Sequence, residues 1–344
     1  MPTIRHGDDR LQDFSELMEL VSREENLLER MGLFEKDYLT GTLATFERRT
    51  NGTDDMYSVA RGADRQFAGD DDAHTAHIET ALFTLDKALK AHELIDMREF
   101  GTAAEKVTAE KSLKRIIERF QRGHKRLHAT VMYEALLGST YAEDKDGNPR
   151  PNLTRTFQSM FEIDDADMFD GAAGGVKAYN LTDQNSSPTE EFETYRAHLR
   201  DKMGDNGDDY EVVILLGSGA FTRLAAHVEL EDAFAAIGDA KDLKGRLGGL
   251  KNNRVFEFKG FTFVEDFSGR IGNAQGVALP KGVDMFEIKY SPADTVAASS
   301  GDTPAEEAYL FVEEGTRKIE AQSEVAMIAC NTRVDLVGIY NFTI

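Results

Sequence analysis

The segment Leu215-Leu216-Gly217-Ser218-Gly219-Ala220 sets a serine between glycines where a strand pattern gives way to a helix pattern, the place for a nucleophile or a phosphate cradle. Neither chemistry has its residues. A nucleophile elbow needs a small residue two positions before the serine, and Leu216 stands there; a phosphate loop needs Gly-Lys-Ser/Thr, which is absent. A tight strand-to-helix turn is the expectation. His124 and His128, at i and i+4, share a helix face, yet no glutamate lies between them and no third ligand is marked; these, like His74 and His77, are expected as surface or interface histidines. Glu143-Asp144-Lys145-Asp146-Gly147 resembles part of a calcium loop, but its first ligand position falls on Ala142, so it reads as a turn. Cys330 sits among apolar residues of a late strand and is expected buried and inert. Acid pairs such as Asp164-Asp165 are too ordinary in so acidic a chain to make a dyad. No catalytic residue, cofactor site or metal site is assigned, and the sequence supports no enzyme.

The elements around these residues are more informative. Leu11, Phe14, Met18 and Val21 have the spacing of a short amphipathic helix in an N-terminal arm that runs to about Phe34. Thr42–Arg48 and His77–Leu85 read as strands of a ribbon, and the polar tip between them, Asn51 to Ala73, has little to pack a core. Long structureless loops are uncommon unless they bind something, so the ribbon is expected to reach outward to a neighbour. Thr102-Ala103-Ala104-Glu105 matches a capping box, and Leu113, Ile116, Ile117, Phe120, Leu127, Val131 and Ala135 keep helical spacing up to Gly138. The spacing predicts one very long helix over 103–137. A hairpin signal follows at Asp146-Gly147-Asn148-Pro149, then a second capping box at Ser187-Pro188-Thr189-Glu190. Glu211–Leu216 is an apolar run for a strand buried on both faces, with a helix after it showing Phe221, Leu224, Ala225 and Val228 on one side. From Asn253 onward strands dominate.

The whole chain has 344 residues and a formal charge of −22, which excludes an electrostatic DNA wrapper. One cysteine excludes an internal disulfide framework, and no run approaches the roughly 20 apolar residues of a membrane helix. The opening Met-Pro-Thr-Ile-Arg-His-Gly-Asp lacks a signal-peptide core, so synthesis in a cytoplasm is expected. Charge is uneven within the chain. From Lys106 to Arg126 there are eight bases, among them Arg115, Arg119, Arg122 and Arg126, against two acids, leaving −28 for the remainder. From Asp54 to Asp72 the tip carries Asp54, Asp55, Asp64, Asp70, Asp71 and Asp72 against Arg61 and Arg65, a net of −4. A basic helix and an acidic tip are candidates for contact between subunits.

Arm, ribbon, long capped helix, α/β portion and returning strands together resemble the lambda-type major head protein family of tailed bacteriophages, an α+β chain of the HK97-like fold. The likeness rests on the order of short runs: Gly32-Leu33-Phe34, Ala60-Arg61-Gly62-Ala63-Asp64, Phe67-Ala68-Gly69, Arg98-Glu99-Phe100-Gly101, Gly217 to Leu224 with Ala226-His227, Phe258-Lys259-Gly260-Phe261, Pro280-Lys281-Gly282 with Phe286, Ser291-Pro292-Ala293-Asp294 and Glu320-Ala321-Gln322-Ser323. A departure falls at Thr332-Arg333-Val334, where such proteins commonly carry Arg-Pro. The resemblance implies an N-terminal arm (1–40), an extended β-ribbon or E-loop (41–100), a peripheral domain with the spine helix (101–185), an axial domain (186–296) and C-terminal strands returning to the peripheral domain (297–344). It implies hexamers and pentamers in an icosahedral virion shell that encloses double-stranded DNA without sequence-specific binding, no membrane, a separate scaffolding protein, a portal and a candidate decoration protein. The cross-link of some relatives would need groups such as Lys87, Lys90 and Asn331, which nothing marks. Two other readings are an encapsulin-like nanocompartment shell and an acidic α/β enzyme using the strand-turn-helix at 211–228.

Overall fold

The computed structural model describes residues 11–13, 26–50, 72–90, 109–203, 210–230, 254–295, 305–314 and 318–344. In chain order it contains β1 (Leu11–Asp13), α1 (Leu27–Met31), β2 (Phe34–Tyr38), β3 (Leu43–Thr50), β4 (Asp72–Glu79), β5 (Ala81–Lys90), the long α2 (Ala109–Leu136) and α3 (Phe157–Met160). Then follow β6 (Val176–Asn180), α4 (Pro188–Met203), β7 (Glu211–Gly217), α5 (Ser218–Ala225), β8 (Val255–Phe258), β9 (Phe261–Asp266), β10 (Gln275–Lys281), β11 (Phe286–Ser291), β12 (Tyr309–Glu314), β13 (Lys318–Asn331) and β14 (Gly338–Thr343).

One sheet is organised by β13. Along one edge β13 pairs with β5, from Lys318↔Lys90 to Met327↔Ala81; along the other it pairs first with β12 and then with β11. β2 adds to β11 in parallel and β1 to β12. Alternation puts Ile319 and Ala321 of β13, Leu89 of β5 and Leu310 of β12 on one face, where they meet Leu113, Ile116, Ile117 and Phe120 of α2. The 28 residues of α2 span roughly 42 Å at 1.5 Å per residue. Gly138 ends it with φ +94°, as Ser139 N donates to Glu134 O at 3.0 Å and Gly138 N to Ala135 O at 3.2 Å. Thr102 and Glu105 lie outside the described residues.

The second sheet runs β6-β14-β10-β7-β9-β8. Its central β7 lies between β10 and β9, and Val212 through Leu216 are buried, as a strand covered on both faces requires. α4 starts at Pro188 with Glu190 N donating to Ser187 Oγ, and packs Phe192, Tyr195 and Leu199 inward. β3 and β4 form the two-stranded ribbon in the register Leu43↔Glu79 to Thr50↔Asp72.

Several expectations need correction. Of the expected arm helix, Leu11–Asp13 is extended and pairs with β12, where a sheet edge satisfies its backbone, and Phe14, Met18 and Val21 lie outside the described residues. The run His77–Leu85 is two strands with different partners. Thr80 interrupts it, donating through N to Thr42 O and sharing a hydrogen bond between its Oγ1 and Ser291 Oγ, so that the chain leaves β3 and joins β13. Alternation alone cannot reveal a change of partner. Val228 is 44% exposed, and the turn at Asp146–Pro149 closes by single bridges, Ser139↔Thr156 and Glu143↔Pro149.

Phe120 is 2% exposed at the centre of the helix-sheet seam. Phe120→Ala should cost about 3–5 kcal/mol through lost burial and the cavity left behind. Urea denaturation of the isolated subunit measures it, and faster amide exchange should be confined first to α2.

Candidate inter-subunit surfaces

The basic residues of α2 lie on its outer side. Arg115, Arg119, Arg122 and Arg126 are all exposed, with Lys111 and Lys114 beside them. His124 and His128 project roughly 140–180° away from Arg115 and Arg119, at 100° per residue, and so face the sheet. His124 Nε2 meets Ser323 Oγ at 2.5 Å; His128, 1% exposed, meets Tyr290 OH through Nδ1 and Glu307 O through Nε2, each at 3.2 Å. The surface expectation for this pair is therefore overturned: they fill a polar seam under the helix. His74 and His77 are exposed on β4, and His77 Nδ1 meets Thr45 Oγ1 at 3.0 Å.

The base of the ribbon lies on its own chain. Ala44 and Phe46 of β3 and Ala76 and Ile78 of β4 join the main core. Lys289 Nζ sits 5.1 Å from the Phe46 ring and bonds Asp37 at 3.2 Å and Glu287 at 3.1 Å. Burial opposes the charge of Lys289, but these two carboxylates outweigh it and raise its pKa. Arg48 Nε stands 3.8 Å from Asp335, which Arg333 holds in a fork at 3.1 and 2.9 Å. The outward reach expected of the ribbon concerns its tip: Asp54, Asp64, Asp70 and Asp71 lie outside the described residues, and Asp72 opens β4 opposite Thr50.

The Gly-Ser-Gly turn is explained by close packing. A Cβ on Gly217 would lie 2.1 Å from Gly272 O, and one on Gly219 2.5 Å from Asn273 Nδ2. The loop after β9 is seated there: Gly219 N donates to Asn273 Oδ1 at 2.8 Å and Ala220 N to Asn273 O at 2.9 Å. Ser218 Oγ donates at 2.7 Å to Glu265, which is fully buried and forked by Arg254 at 2.5 and 2.6 Å. That guanidinium, first, and then Ser218 hold the Glu265 carboxyl below its ordinary pKa in spite of burial. The other end of the same loop is tied to α2. Tyr133 OH donates to Asp266 Oδ1 at 2.8 Å, and Arg270 Nη2 donates to Arg126 O at 3.2 Å. Burial, with the Asp266 charge, pushes the Tyr133 phenol far above its usual range.

Cys330 is fully buried, and burial pushes its thiol up, as expected of an inert core cysteine. Asp144 accepts backbone N–H groups from Asp146 and Asn148 at 2.9 Å each, the turn expected there. Among the described residues no cluster has the makings of a metal site, and no helix is long and apolar enough to cross a membrane.

The family described as phage major capsid protein E matches residues 15–336. The chain belongs to the phage major capsid protein E family. Its fold is the HK97-like capsid fold. The capsid asymmetric unit of cyanophage Pam1 superposes with a TM-score of 0.52 at 10% identity, covering 90% of this chain and 88% of that one. The mature capsid of bacteriophage PhiM1 gives a TM-score of 0.50 at 11% identity, covering 100% and 92%. No curated protein matches the sequence. As a major capsid protein of a tailed phage, the chain has a structural role in the virion shell, built with copies of itself, and neither the nanocompartment nor the enzyme reading has support.

For a capsid protein the informative groups are those that fix exposed surface, and the sequence reading missed the main ones: Tyr133, Asp266, Arg270 and the Arg254–Glu265 pair. Asp266-Phe267-Ser268-Gly269 does carry a signal, since an Asp two residues before a Ser and followed by Gly favours a side-chain-to-backbone turn.

Arg254→Met would leave the buried Glu265 carboxylate without its fork. With Arg254 itself 51% exposed, the loss should be about 1–3 kcal/mol at neutral pH. Because the folded pKa of Glu265 lies below its ordinary 4.5, this stabilisation is complete above that value and fades as pH falls through the lowered one. Thermal melts of both proteins across pH should show their gap closing on the acid side.

Proposed function

We propose that this chain assembles as hexamers and pentamers into the icosahedral head of a tailed phage and encloses its double-stranded DNA without reading its sequence. The match to the major capsid family over residues 15–336 is the observation that carries this reading. The division into arm (1–40), ribbon (41–100), peripheral (101–185) and axial (186–296) portions with returning strands (297–344) is part of the proposal. It is supported by β12 and β13 packing under α2, while β14 crosses to the sheet of β7 and stitches the portions together. Virion location, assembly in the host cytoplasm, and a scaffolding protein, a portal and a decoration protein as partners belong to the same reading.

Within the shell, the acidic tip bearing Asp54, Asp64, Asp70, Asp71 and Asp72 lies across the basic stripe of an adjacent copy's α2. What supports this is sign and exposure: a net of −4 on the tip, and Arg115, Arg119, Arg122 and Arg126 facing away from the body. Each exposed pair contributes only about 0–1 kcal/mol, so the contact works as a set. Symmetry then multiplies many modest contacts into a stable particle.

Arg115→Glu, Arg119→Glu and Arg122→Glu combined should abolish particles in negative-stain images and sedimentation profiles while the subunit's circular dichroism stays unchanged. Particles of normal yield would refute the ribbon-on-helix contact and leave the capsid role standing.

A further inference from the structure

Phe267 is 65% exposed, more than any other large apolar side chain among the described residues. A lone exposed apolar residue is ordinary on a protein surface. The frame around this one is not. Asp266, 2% exposed, accepts from Tyr133 OH and Ser268 N through Oδ1, at 2.8 and 3.0 Å, and from Ser268 Oγ and Ile271 N through Oδ2, at 2.8 and 3.2 Å. Ile271 is buried, and the far end of the loop is seated on Gly217 and Gly219 through Gly272 and Asn273. With the residues on both sides fixed, the backbone that presents the ring is already ordered, so a docking partner meets only the cost of ordering the side chain.

Phe267 shares its loop with Arg270. Arg270 lies with its guanidinium 5.6 Å from the Tyr133 ring and donates to Arg126 O, so the basic stripe of α2 runs into this loop. An exposed aromatic side chain in one loop with an arginine has the composition of an interface centre, where aromatic and Arg residues carry most of the binding energy.

We infer that Phe267, presented by the Asp266 turn in the same loop as Arg270, is an anchor for a second copy of this chain, inserting into an apolar recess with an acidic rim. The occupant follows from charge and copy number. The chain outside the basic helix segment carries −28, so the surface of another copy readily supplies carboxylates to Arg270 and the basic helix beside it. The inference rests on the capsid reading, which places many copies side by side.

The test replaces Phe267 in the full-length chain with the photo-cross-linker p-benzoylphenylalanine, and separately makes Phe267→Asp. Irradiated particles should yield a cross-linked species of twice the chain mass, with the second peptide from another copy. Phe267→Asp should lower particle yield by about 10-fold or more, the loss of a hot-spot residue, while the melting temperature of the unassembled subunit moves by less than about 2 °C, as expected of an exposed site. Cross-links confined to one chain or to a different protein, or wild-type particle yield from Phe267→Asp, would overturn the inference without touching the capsid reading. A wild-type chain that forms no particles under assembly conditions would overturn both. If Phe267→Asp fails to fold, the cross-link decides.

Discussion

The exposed basic face of α2 depends on one strand being covered on three sides. β13 spends both edges on hydrogen bonds, to β5 on one side and to β12 and β11 on the other, and one face on α2. A strand so enclosed has no freedom to shift register, since a slip of one residue would turn Ala321, Ser323 and Val325 away from the helix and bring Glu320, Gln322 and Glu324 under it. The helix inherits that fixity. A 28-residue helix with its apolar face committed must show the rest of its circumference to water, and that remainder is the arginine stripe.

The second constraint is steric. Gly217 and Gly219 let the loop after β9 come within contact of the β7–α5 turn, closer than any side chain would allow. The same loop reaches α2 through Asp266 and Arg270. The second sheet, which already shares one core with the first, is thus also tied to α2 by a short segment gripped at both ends. The glycines of this strand-to-helix turn serve backbone approach.

The difference between what could and could not be read from the sequence follows from range. Helix α2, its stop at Gly138, the buried strand β7 and the Pro188 helix start were legible because periodicity and capping are local. Partner choice was not. Thr80 looks like one more residue of a continuous strand, and only Ser291, 211 positions away, shows why the chain changes sheets there. The histidines failed for the same reason: their i, i+4 spacing placed them together on a face, but which face the sheet would cover depends on Ser323 and Tyr290. Of the candidate contact residues, the arginines proved exposed, while the acidic tip lies almost wholly outside the described residues.

Those buried histidines also account for the precision of the exposed surface. An apolar seam tolerates sliding, since hydrophobic contact has no direction. The α2 seam is interrupted by His124 with Ser323 and by His128 with Tyr290 and Glu307, and Tyr133 extends the series to Asp266. Moving the helix by one turn, about 5.4 Å, would part each of these pairs at once. A buried polar group left without its partner costs about 1–3 kcal/mol, so the alternative positions of α2 are disfavoured several times over. Polar pairs that add little net stability therefore set where Arg115 to Arg126 stand relative to Arg270 and Phe267. A shell protein must present the same pattern from every copy, and in this chain the pattern is fixed from beneath.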